Sequence, residues 1–172
     1  MPSLITVSPS GGSGATLTSF APYAGSGSAA PLLSAANKIQ ISGFSLGQPL
    51  QVTNLIFIMN TPDNTNNCDI GIYDSTGTLR AHIGAQILAA VSNDLAVVGG
   101  PVTLPAGKYY LAFTSNATTA KMNIPSISTR VLTNLPIVES ATASAGGGLP
   151  AGIVIPADAW ALATSVLWVS MH

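Results

Sequence analysis

The densest group of side chains capable of chemistry is Asp63, Asn64, Asn66 and Asp69, four oxygen-bearing residues within seven positions. Crowded carboxylate and amide oxygens are what a hard cation such as calcium takes as ligands. The spacing is not that of an EF-hand loop, and Asp and Asn also build turns by bonding their own backbone. The stretch is read as an Asx turn with no metal assigned, and calcium is the alternative. His82 follows Arg80 at a spacing that puts both on one face of a strand, expected to be exposed. Glu139 is the single glutamate, and His172 is the last residue, a poor place to hold a catalytic base.

An enzyme needs titratable groups that converge. Two histidines, six carboxylates and one thiol are scattered here, with no nucleophile elbow, phosphate loop, dinucleotide fingerprint or zinc pattern. The GGSG and AGGG runs lack the strand-then-helix setting that a phosphate loop requires. No catalytic residue and no cofactor is assigned, and the chain is expected not to be an enzyme. Cys68, alone, admits no disulfide within the chain and is read as a small buried apolar residue.

Composition points the same way. Only 6% of the 172 residues are charged and 47% are hydrophobic, with 17 Gly and 12 Pro. A soluble domain ordinarily has about a quarter of its residues charged. A surface so short of Lys, Arg, Asp and Glu lacks the repulsion that keeps free monomers apart. The expectation is a building block that buries much of its surface against copies of itself or a larger assembly. A net charge of −1 and scattered cations give no basic patch for nucleic acid. The N-terminus lacks the pattern of a secretory signal. The 13-residue apolar run 159–171 is too short to span a bilayer as a helix, so no membrane partner is expected.

Residues 1–37 form a distinct Gly/Ser/Ala-rich stretch, expected to be an extended N-terminal arm. Its spaced apolar anchors Leu4, Ile5, Val7, Phe20 and Tyr23 suggest an arm draped over a neighbouring subunit. From position 38 to 172 short apolar runs alternate with turn residues, the pattern of a single β domain. The run 50–59 reads as a long central strand, and Asn60–Asn67 as a polar loop. CDIGIY alternates, with Cys68, Ile70 and Ile72 on one face and Asp69, Gly71 and Tyr73 on the other. Asp74-Ser75-Thr76-Gly77 turns the chain into a hairpin partner, and KYYLAFT places Tyr109, Leu111 and Phe113 on one face. Residues 140–152 read as a flexible loop, and 83–90 is the one helical candidate. The class is all-β, an antiparallel, jelly-roll-like β-sandwich with an N-terminal arm. Tyr73, Tyr109, Tyr110, Phe113, Trp160 and Trp168 either pack sheets and subunit contacts, the favoured reading, or line a sugar-binding groove.

Two segments, NNCDIGIYDSTGTLRAHIG and GGPVTLPAGKYYLAFTSNATTAK, resemble the β-sandwich structural proteins of tailed bacteriophages. There a strand reading xxxDIGIYDxxGxL is followed by a hairpin reading LxPGxYYLAxxxxG. The resemblance covers about residues 54–120; Ala106 before the turn glycine, and Asn116-Ala117 in place of the closing glycine, depart from it. It implies a non-enzymatic virion protein assembled in the host cytoplasm. The expected role is capsid decoration (cement), as a homotrimer bound to the major capsid protein or other virion proteins. The alternative is a tail-fibre or baseplate module recognising a host surface glycan, with Tyr73 or Tyr110 exposed beside 63–69. A capsid-forming or head-fibre subunit is the third option. The interface residues expected are the five arm anchors together with Trp160 and Trp168.

Overall fold

Alternation and β-branched content favour strands across most of the described residues. The computed structural model describes residues 28–29, 36–124, 138–140, 145–155 and 169–171. The strands are β1 (Ser28–Ala29), β2 (Ile39–Leu46), β3 (Leu50–Val52), β4 (Asn54–Thr61), β5 (Asp63–Asp74), β6 (Leu79–His82) and β7 (Gln86–Leu88). They continue with β8 (Ser92–Ala96), β9 (Val102–Leu104), β10 (Gly107–Ser115), β11 (Lys121–Ile124), β12 (Val138–Ser140) and β13 (Val169–Met171). Every pairing among them is antiparallel, and the described residues contain no α-helix. The all-β class expected from the sequence is what the described residues adopt.

One sheet runs β12-β2-β10-β5-β6, with β7 also paired to β5. A second runs β1-β11-β4-β13, with β8 also paired to β4, and β3 pairs β9 as a short ribbon. The run expected as one strand over 50–59 breaks at Thr53, because its first half pairs β9 and its second half pairs β8, β11 and β13. The helical candidate 83–90 is instead a short strand, Gln86–Leu88, captured by pairing with β5. The polar loop is shorter than expected, since β5 already begins at Asp63. Its register jumps between Asp63 and Asn67, which bulges residues 64–66 out of the ladder.

The main core joins both large sheets. Leu55, Phe57 and Met59 of β4 share one buried cluster with Cys68, Ile70 and Ile72 of β5 and with Leu111 and Phe113 of β10. Each fully buried side chain of this size contributes about 1.5–3 kcal/mol of transfer free energy. The opposite face of the β2–β10–β5 sheet is covered as well. There Ile39, Ile41, Tyr73, Tyr110 and Ala112 form a second buried cluster with Leu149 and Ile153. Those last two belong to 145–155, a strap that crosses the outer face after a 3-10 turn at Ala145–Gly147. Its backbone is tied down by Leu79 N–H donating to the Ala151 carbonyl and Ile153 N–H donating to that of Gly77, both at 2.9 Å.

Two glycines make this close approach feasible. A Cβ on Gly71 would sit 2.6 Å from the Ala81 carbonyl oxygen and 2.8 Å from Leu149 Cδ1. Gly77 turns the β5–β6 hairpin at φ +83, and a Cβ there would lie 2.0 Å from the Ile153 carbonyl oxygen.

The apolar anchors Leu4, Ile5, Val7, Phe20 and Tyr23, together with Trp160 and Trp168, lie outside the described residues. Of the stretch 1–37, Ser28–Ala29 pairs with Asn123 and Ile124 of β11, and Asn37 N–H donates to the Ser115 carbonyl.

Candidate functional site

The two carboxylates of the oxygen-rich stretch part company. Asp63 turns onto its own bulge, where Oδ1 accepts hydrogen bonds from the backbone N–H groups of Thr65 and Asn66 at 2.9 Å each. The Thr65 hydroxyl also donates to Oδ1, and the Asn66 amide donates to both carboxylate oxygens. The Thr119 hydroxyl closes onto Oδ2 from the loop after β10. That hydroxyl, with the Thr65 and Asn66 donors, outweighs burial and holds the Asp63 carboxyl well below the usual carboxylate range. A carboxylate with this many donors is an Asx-turn cap, the reading the sequence favours. Among the described residues no group of three or more His, Cys, Asp or Glu is placed to hold a metal.

Asp69 faces the other way, beneath the strap. Its Oδ2 accepts from the Leu149 backbone N–H and bonds His82 Nδ1, each at 2.9 Å. The carboxylate is fully buried, whereas the His82 side chain keeps 29% of its surface in solvent. Oδ1 is buried without a hydrogen-bond partner. Burial pushes the Asp69 carboxyl up, against the opposing pull of Leu149 N–H, His82 and the Ile70 backbone N–H. Tyr73, two residues on, donates its hydroxyl to the Pro150 carbonyl at 2.7 Å. Its own titration is pushed up by burial and by the Asp69 charge.

A bulge brings His82 to this place. Asp74 N–H donates to Thr78 O, and Tyr73 pairs with Leu79. An unbroken ladder would continue with Ile72 opposite Arg80 and Ile70 opposite His82. The register shifts between Ile72 and Tyr73, so Ala81 faces Ile72 and His82 faces Gly71. His82 thereby joins the outer face with Asp69, and its expected exposure is corrected to partial burial. Arg80 is the extra residue, exposed, 3.6 Å from Asp74. Partial burial of Asp74 is outweighed by hydrogen bonds from Thr76 and Thr78 and by the Arg80 charge, which keep its carboxyl below the ordinary value.

The Asp69–His82 pair is built into the seat of the strap. A nucleophile triad would add a hydroxyl or thiol on the second imidazole nitrogen. Among the described residues, the ring makes its hydrogen bond to Asp69 alone. Cys68 lies on the opposite face, free and fully buried, with its thiol pushed up by burial. Tyr73, Tyr109, Tyr110 and Phe113 are all buried in the two clusters, so none of them offers a ring to a sugar. Among the described residues the exposed large apolar side chains are Ile87, Val91, Val98 and Val154. Among the described residues no helix is long and apolar enough to cross a membrane. Sequence reasoning found Asp69 and His82 as separate residues and missed their pairing; the signal, a one-residue slip in the hairpin register, is not written in residue types.

Compared with known proteins, the chain matches no family model, no curated protein and no solved structure.

Proposed function

We propose that this chain is a non-enzymatic structural protein of a tailed-phage particle, a capsid decoration protein that acts as a homotrimer clamped onto the major capsid protein. The observation that carries the reading is the surface economy: 6% charged residues against 47% hydrophobic ones in 172 positions. Exposed Ile87, Val91, Val98 and Val154 are consistent with further burial in an assembly. In this reading the two large sheets are the layers of a jelly-roll-like sandwich, supported by the single apolar cluster that draws on both. The stretch 1–37 is the arm that ties neighbours together.

The mechanism is burial without chemistry. Each Å² of apolar surface removed from water contributes roughly 25 cal/mol, and weak contacts repeated over a symmetric shell add avidity. The glycan-binding alternative asks for an exposed Tyr73 or Tyr110, and both are buried. Imaging particles with and without the chain tests the proposal. Many copies on the head surface, with earlier bursting on heating when the chain is missing, support it; a few copies confined to the tail overturn it.

A further inference from the structure

We propose that Asp69 and His82 form a pH-responsive latch, which holds the strap 145–155 against the outer face of the six-stranded sheet while Asp69 is protonated and loosens it as the carboxyl ionises. The geometry makes the ionised state a poor fit. Leu149 N–H and His82 Nδ1 both bond Oδ2, the backbone N–H of Ile70 lends lesser support, and Oδ1 is buried without a hydrogen-bond partner. A buried carboxylate with half its acceptor capacity unmet is costly, and lifting the strap would let water reach it.

Asp69 and His82 are the titratable groups that meet beneath the strap. The strap carries no titratable side chain over 145–155. On β6, His82 faces Asp69 while Arg80 is turned to Asp74. On β5, Tyr73 spends its hydroxyl on Pro150, and Cys68 points into the opposite core. On β10, Thr114 is the register partner of Asp69, and it donates its hydroxyl to the Lys38 carbonyl. The direction of the Asp69 titration agrees with this geometry, because burial raises the carboxyl. A group raised on docking stabilises the docked state below its free value and withdraws that support as pH rises through the docked value.

Amide hydrogen exchange on the full chain tests the latch, read at Leu149, Ile153 and Leu79 and corrected for intrinsic rates, from about pH 4 to about pH 9. Protection of these amides is expected to fall as pH rises, by about tenfold for each pH unit by which docking raises the carboxyl. Asp69→Asn is expected to abolish that fall, while the amides of Ile72 and Leu111 stay protected as a check on the fold. His82→Gln removes a group that favours the ionised carboxyl and is expected to move the fall to higher pH. Flat protection in the wild type, the same fall in Asp69→Asn, or a fall that vanishes or moves to lower pH in His82→Gln would each overturn the proposal.

Discussion

The two faces of β5 are built from six consecutive residues, yet they obey different rules. Inward, Cys68, Ile70 and Ile72 meet apolar side chains of the opposite sheet, and any well-packed aliphatic group of similar size would serve. Outward, Asp69, Gly71 and Tyr73 each have one specific counterpart in the strap: the Leu149 N–H, the Leu149 side chain and the Pro150 carbonyl. The inner face is held by area and the outer face by matched chemistry. Such a division gives the inner face more of the stability and the outer face more of the sensitivity to conditions.

The comparison is sharpened most by truncating the inner core. Phe113→Ala, at a fully buried site, is expected to cost about 3–5 kcal/mol in denaturant unfolding; a loss confined to the strap would contradict the division. Gly71→Val attacks the outer face, where its first added carbon meets the Ala81 carbonyl and Leu149. A cost of about 1–3 kcal/mol is expected, with cleavage by a dilute protease appearing within 145–155 before the β5–β10 ladder opens.

Asp63→Ala removes the cap of the bulge and is expected to cost about 1–2 kcal/mol. It also changes the response to acid. The folded-state carboxyl is held low, so its contribution is complete above the ordinary carboxylate range, about pH 4, and is lost as pH falls further. The wild type should therefore lose stability in acid more steeply than Asp63→Ala; parallel acid titrations would remove Asp63 from the account. The smallest effect is expected of Tyr73→Phe, which deletes one hydrogen bond to Pro150 for about 1 kcal/mol. A melting temperature unchanged from wild type would show that the Tyr73 hydroxyl adds nothing to the docking of the strap.

Much of this fold is legible in residue order. CDIGIY and KYYLAFT alternate as strands do, and their inner faces are the ones found in the main cluster. Asp74 and Gly77 mark the hairpin turn, whose Asp74 Oδ1 accepts from both the Thr76 and Thr78 N–H groups. Cys68 reads as a buried apolar residue and is one. The Asx reading of Asp63 was also available, because its partners Thr65 and Asn66 are two and three residues away. Contacts that short in sequence are governed by local backbone geometry, which residue type biases directly.

What lies far apart in sequence was decided by the tertiary structure. Leu149 reaches Asp69 across 80 positions, and nothing in the composition of AGGGLPAG says which surface it will cover. The single extra residue at Arg80 moves His82 from facing Ile70 to facing Gly71, and alternation cannot reveal a slip that reverses it. The sequence by itself determined strands, turns and the inner core, because burial follows a period of two that side chains spell out. Only the tertiary structure decided that the outer face is roofed, that Asp69 is buried and that His82 meets it, because those depend on register and loop docking, which are properties of the assembled sheet.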